Sequence, residues 1–198
     1  GDYDALTLVH NETSTGTISP LTDIAALKKT YPDVMFIVDT VSSMSAVPLD
    51  FDKLGVDVML AGTQKAFALP PGLSLFVCSP TAMEKAAHTP NRGYYFDLLE
   101  FQKNAKKNMT PSTPSIPHIN GLSAQLDAFF EEGLKNRYTR HAKLAQATRD
   151  WAFGHGFTLF PEVKFASNTL TCVNNGAKEG GRVVDVPRLQ ELVMEKGI

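Results

Sequence analysis

Cysteine is scarce, tryptophan occurs once, and no long apolar run is present in these 198 residues. The two cysteines, Cys78 and Cys172, lie far apart in strand-like runs ("LSLFVCS", "TLTCVNN"), without the C-x-x-C or histidine spacing of a metal site. They read as buried free thiols or, alternatively, as a disulfide; thiols fit a reducing, cytoplasm-like compartment. Runs such as "VMFIV" fall far short of the roughly 20 residues of a membrane span, and no basic-then-apolar leader is visible. With 19 basic and 21 acidic residues mixed along the chain and no polybasic run, neither nucleic acid nor a membrane surface is supported as a partner.

Several chemical signatures are missing too: a G-x-x-x-x-G-K-[ST] loop, a G-x-G-x-x-G turn, H-E-x-x-H and a G-x-S-x-G elbow. His88, His118, His141 and His155 have no acid at ligand spacing and read as structural or surface residues. His10, just before a polar loop, could touch a ligand. Small neutral or anionic metabolites remain open as ligands.

What is present is a cycle of strands and short helices. Residues 5–10 are apolar and β-prone, and "NETSTGTIS" follows as a loop. Ser19 suits an N-cap with Pro20 at the first helical position, and the helix should stop at Pro32. "VMFIVD" fits a strand buried on both faces of a parallel sheet. "FDKLG", "VDVMLAG" and "LSLFVCS" continue the pattern, so the fold class is α/β, a mainly parallel sheet with flanking helices.

Beyond Pro80 come a short helix ("PTAMEKAA"), an irregular proline-containing stretch, and a long helical pattern over about 119–153 with a kink or break expected at Gly133. "FTLF", "NTLTCV" and the helical "VPRLQELVMEKG" suggest a smaller α+β unit. The expected division is 1–120 and 121–198. A start at Gly1 almost inside a strand, and a stop at the end of a helical pattern, suggest a piece of a longer protein.

In parallel sheets ligands gather at the carboxyl ends of the strands, where 11–17, 39–43 and 63–65 should meet. Asp39 ends an apolar run, where a carboxylate needs a cation or strong donors, or else simply caps a nearby helix. Lys65, in "GTQKAFALPPG", is either a solvated loop lysine or an amine at the edge of a partly desolvated site, where a lowered pKa allows Schiff-base chemistry. "ETSTGT" offers three hydroxyls for a polar ligand, or an ordinary turn. "TPSTPS" is a stiffened linker or a pair of fixed hydroxyls.

Taken in order, "HNETSTGT", "IVDTVSS", "LAGTQKAFALPPG" and "TPSTPS" resemble the class V aminotransferases of fold type I, pyridoxal 5'-phosphate enzymes, in particular the alanine–glyoxylate and serine–pyruvate branch. The resemblance covers essentially the whole chain and is strongest over 5–80. It implies that Lys65 holds the cofactor as a Schiff base and later moves the proton, and that Asp39 pairs with the pyridinium nitrogen. It implies that Thr13, or Ser14, meets the ring hydroxyl and that Gln64 reaches the phosphate. Thr110 and Thr113 match hydroxyls that reach the neighbouring subunit's cofactor phosphate, hence a homodimer.

The implied reaction moves an amino group from a small amino acid to a 2-oxo acid. In relatives a phosphate loop and a stacked aromatic ring precede the part that begins here at Gly1, and a substrate-gripping arginine follows Ile198. Cysteine desulfurases of the same scaffold carry a histidine where Gln64 stands, and a loop cysteine. Lyase chemistry and a non-catalytic α/β module are the alternative readings.

Overall fold

The computed structural model of the protein describes residues 3–175 and 183–198. Ala5–Val9 forms β1. The polar segment after it is a small antiparallel ribbon, β2 (Asn11–Glu12) against β3 (Thr17–Ile18), where the sequence predicted an open loop. The ribbon turns at Gly16, whose φ is 69° and whose α-carbon is so close to Cys172 that a Cβ would lie 2.8 Å from that residue's own Cβ.

Helix α1 (Leu21–Ala26) starts one residue later than expected, with Pro20 in the N-cap position. Ser19 does not cap it, because its hydroxyl donates instead to the Val9 carbonyl at 3.0 Å. A 3-10 turn, Leu27–Lys29, ends the helix ahead of Pro32. Next come β4 (Met35–Asp39) and α2 (Phe51–Leu54), the latter capped by Asp50 and closed by left-handed Gly55. β5 (Val58–Gly62) and β6 (Ser74–Cys78) complete the main sheet, followed by α3 (Pro80–His88) with Ser79 as N-cap.

The stretch expected to be irregular contains a helix, α4 (Leu98–Ala105), capped by Asp97 and set against the sheet through an edge-to-face Phe76–Phe101 pair at 5.1 Å. The long helical pattern is two helices, α5 (Ile116–Glu132) and α6 (Leu134–Gly154), separated at Gly133 with φ 81°. β7 (Thr158–Leu159) pairs with β8 (Val173–Asn174), and α7 (Val186–Glu195) is the final helix. Among the described residues no helix is long and apolar enough to cross a membrane.

The main sheet runs β1–β4–β5–β6. The first three strands are parallel, with Val9 opposite Asp39 and Asp39 opposite Leu60; β6 is antiparallel to β5. β4 is buried as its continuous apolar run requires: Met35, Phe36 and Val38 are buried and Ile37 half-buried. One core joins α1 (Leu21, Ala25) to Phe36, Val38, Val56 and Met59. A second joins Ala61 and Phe67 to Phe129 of α5, supported by Leu122 and Leu126. Burying a side chain such as Val38 or Met59 contributes about 1.5–3 kcal/mol. Both cysteines are free, but they are half-buried rather than buried, because Cys78 ends an edge strand and Cys172 precedes β8.

Asp57 ties this part of the sheet together. It is only 2% exposed and accepts from the Lys28 ammonium (2.6 Å), the Phe36 amide (2.8 Å) and the Ser79 hydroxyl (3.1 Å). Removing one partner of a buried pair leaves the other charge uncompensated. Asp57→Ala should therefore destabilise the protein by about 3–5 kcal/mol in urea denaturation, whereas removing the exposed Asp50–Lys53 pair should cost under about 1 kcal/mol.

Candidate functional site

Three loops leave the carboxyl ends of the parallel strands side by side. In the first, after β1, His10 is buried and shares a 2.9 Å hydrogen bond between its Nδ1 and the Ser43 hydroxyl. Burial lowers its pKa from 6.5 to about 4, so the ring is neutral near pH 7. Asn11 is also buried; its amide donates to Thr169 Oγ1 (3.1 Å) and the Ser42 carbonyl (3.4 Å), and its Oδ1 has no protein partner. Thr13 is exposed, with its hydroxyl 2.6 Å from that of Ser42. Ser14 donates its backbone and side-chain hydrogens to Glu12, holding that carboxyl below its usual range.

The second loop follows β4. Asp39 is half-buried at the strand end, and its Oδ1 accepts from the Val41 amide at 2.8 Å. Its other carboxylate oxygen has no protein partner among the described residues. Thr40 donates its amide and its hydroxyl to the Leu60 carbonyl (2.9 and 2.7 Å), stitching this loop to β5 just beyond the ladder. The chain then turns through Ser43 and Ser45; Ser45 has φ 73°, rare for a residue with a side chain.

The third loop carries Lys65. Because β6 runs back antiparallel, residues 63–73 form a reversal rather than a crossover. Thr63, fully buried, closes it: its hydroxyl meets the Pro70 and Leu73 carbonyls at 3.0 and 3.2 Å, its amide donates to Leu73, and its carbonyl accepts from Leu69. Gly72 has φ 149°, and a Cβ there would come within 2.8 Å of the His118 ring, whose Nε2 meets the Pro71 carbonyl. Gln64 folds back over Gly62, with Oε1 2.5 Å from where a Cβ would stand. Lys65 is exposed, and its ammonium has no protein partner among the described residues.

Asp39 and Lys65 are thus brought to one edge on neighbouring strands, with Thr13 on the adjoining loop and Gln64 beside the lysine. Thr110 and Thr113 are not joined to that edge by any hydrogen bond among the described residues; both are exposed, and Thr110 bonds only within its own turn, to Ser112. Ser42, within the 39–43 segment expected at this edge, links two of the loops, while sequence reasoning left out the buried Arg137, which donates to the Ser45 and Ala66 carbonyls. The only local signal for Arg137 was the cluster of basic residues in "NRYTRH", which resembles a solvated helix face.

A cleft of about 880 Å³ near His10, lined among others by Leu21, Asp50, Tyr138 and Lys164, does not include Asp39 or Lys65. Its lysines are engaged, Lys53 with Asp50 and Lys164 with Glu162, so the free carboxylate oxygen and free ammonium at the strand ends define the candidate site instead.

This layout defines an α/β protein with a candidate ligand site at the carboxyl ends of its parallel strands. A family model described as Aminotransferase class-V matches residues 1–185, and the chain belongs to that family. It is 39% identical over 172 residues to a serine–glyoxylate aminotransferase of Arabidopsis thaliana, covering 85% of this chain and 44% of that protein. It is 41% identical over 172 residues to an uncharacterised aminotransferase of Methanocaldococcus jannaschii (86% and 44%). An alanine–glyoxylate aminotransferase structure from Nostoc superposes with a TM-score of 0.87 at 29% identity, covering 98% of this chain and 50% of the other. The chain spans about half the length of the curated relatives it matches, or less.

His10 makes the stability of this edge dependent on pH. Its folded pKa lies below the unfolded one, so between about pH 6.5 and 4 the unfolded chain binds more protons. The stabilisation is complete above about pH 6.5 and should be lost as pH falls towards 4, by at most about 3 kcal/mol. Denaturation midpoints of the protein and of His10→Gln, compared at several pH values, should converge as the pH is lowered through this window.

Proposed function

We propose that the intact protein is a pyridoxal 5'-phosphate-dependent aminotransferase that moves an amino group from a small amino acid of the alanine or serine type to a 2-oxo acid of the glyoxylate or pyruvate type. The observation that carries this reading is the meeting of Asp39 and Lys65 at the carboxyl edge of adjacent parallel strands, each with a functional atom free of protein partners. The donor set fits the cofactor: a carboxylate for a ring cation, an amine for an aldehyde, and hydroxyl and amide groups for the ring oxygen and phosphate. When bound, pyridoxal phosphate supplies an electron sink for a carbanion at the substrate α-carbon.

With the cofactor bound, Asp39 would keep the ring nitrogen protonated; the Val41 amide fixes one carboxylate oxygen, and the other has no protein partner among the described residues. Lys65 would hold the cofactor covalently and, as a free amine, would carry a proton as general acid and base. Thr13, pinned by Ser42, serves the ring hydroxyl, and Gln64 serves the phosphate. Thr110 and Thr113 serve the neighbouring subunit's phosphate in a homodimer, and their exposure supports that assignment.

We assign 1–120 to the cofactor-binding portion and 121–198 to a smaller domain; the packing of Phe129 on Phe67 supports setting the physical break towards Gly133. A cytoplasmic location accompanies this reading. Desulfuration is disfavoured because Gln64 precedes the lysine, and because burial raises the pKa of the Cys78 thiol, making it a poor nucleophile.

The test uses the intact protein loaded with pyridoxal phosphate, reduced with borohydride and mapped by mass spectrometry. A pyridoxyl group should appear on Lys65, and Lys65→Ala should lose transamination by at least about a hundredfold. If Lys65→Ala kept the same visible absorbance on adding the cofactor, the lysine assignment would fail. Asp39→Ala should depress kcat far more than cofactor affinity, and unchanged turnover would count equally against that role.

A further inference from the structure

Arg137, in the first turn of α6, is 6% exposed although it carries a permanent charge. Its charge is not spent on a carboxylate in close contact: Glu132 comes only to 3.7 Å and gives both oxygens to Arg140 at 2.6 and 2.9 Å. Arg137 instead donates from Nε to the Ser45 carbonyl at 2.8 Å and from Nη2 to the Ala66 carbonyl. Its guanidinium lies 3.7 Å from the centroid of the Phe129 ring, which in turn packs on Phe67.

The two accepting carbonyls belong to two different loops. Ser45 lies six residues beyond Asp39 and Ala66 directly follows Lys65; no other side chain among the described residues hydrogen-bonds to both loops. Each loop also contains a residue with a side chain at positive φ, Ser45 at 73° and Ala68 at 57°. Such conformations persist only where the surroundings over-determine them. Thr63 fixes the β6 side of the lysine loop, and Thr40 fixes the strand end of the aspartate loop. Beyond the ladder the two loops are joined by Met44, which packs on the Ala61–Phe67 cluster, and by hydrogen bonds from the guanidinium fork, a planar pair of donors that an ammonium lacks.

We propose that Arg137 is a positioning residue: by bridging the Ser45 and Ala66 carbonyls it sets the distance and orientation between Asp39 and Lys65, and so the geometry in which an aromatic cofactor is held between them. The role rests on the cofactor reading given above. Arg137 touches neither reacting atoms nor cofactor and acts through the two backbones.

Arg137→Lys, which keeps charge and stem but loses the fork, and Arg137→Met, which keeps only the stem, test it in the intact protein. The first readout is amide hydrogen exchange without cofactor: residues 43–47 and 65–69 should speed up together by about ten- to a hundredfold, the equivalent of one lost charge-assisted hydrogen bond in each loop, while α1 and α3 are unchanged. The second is the pH midpoint of the visible band with cofactor bound, which should shift in both variants as the Asp39–Lys65 spacing relaxes. Should Arg137→Met fail to fold, Arg137→Lys carries both readouts.

Exchange that rises uniformly over the sheet, or an unshifted band midpoint in Arg137→Lys, overturns the positioning role. If the parent protein traps no cofactor on Lys65 under borohydride, the underlying cofactor reading is overturned instead, a result the exchange measurement does not depend on.

Discussion

The parallel pairing of β4 between β1 and β5 is the constraint on which the rest depends. A strand with neighbours in the same direction on both sides ends at the same edge as they do, and the backbone groups beyond its last ladder bond need other partners. Here they find them in side chains: Thr40 reaches the Leu60 carbonyl and Ser19 the Val9 carbonyl. His10, Asn11 and Thr13 reach across to Ser42 and Ser43. The dense run of small hydroxyl residues at this edge is what ending three parallel strands together demands, and it also makes the edge a polar cradle.

The sheet then departs from a simple alternation of strand and helix. After β5 the chain turns back within residues 63–73, so the lysine-bearing loop is held at both ends by one hydrogen-bonded pair of strands. A crossover loop could move with its helix; this one is closed by Thr63, gripped at Pro71 and Gly72 by His118, and packed through Phe67 against Phe129. Lys65 is a flexible, exposed side chain on a stiff base.

The sequence made some of this legible, and physics explains the rest. A long apolar run ending in an acid specified β4 and Asp39, and a glycine inside a helical pattern specified the break at Gly133, because both signals are local. Strand direction is not local: nothing in the periodicity of "LSLFVCS" distinguishes a parallel β6 from the antiparallel one observed. Helix α4 was missed because it is short and set among prolines and glycine, and its packing partner, the Phe76 ring of β6 against Phe101, is distant in sequence. Ser19 was misassigned as a cap because the Val9 carbonyl, which competes for its hydroxyl, comes close only once β1 is in place. Arg137 was invisible for the same reason, since its partners are backbone carbonyls 92 and 71 residues away.

A single helix gathers the long-range threads. Near its start, α6 offers Arg137 to the second and third loops; twelve residues on, about 18 Å along the axis, it offers Arg149. Arg149, 8% exposed, donates to the Ser167 carbonyl at 3.0 Å. Ser167 in turn donates its amide to Gly16, and its hydroxyl meets Thr169, whose own hydroxyl accepts from Asn11 in the first loop. Two buried arginines on one helix therefore support all three loops, one directly and one through residues 167–169. Arginine is suited to both places because its charge does not titrate away on burial and its planar donors can satisfy several carbonyls at once. The sheet fixes the spacing of β4 and β5, and α6 bridges the loop that follows Asp39 to the loop that carries Lys65.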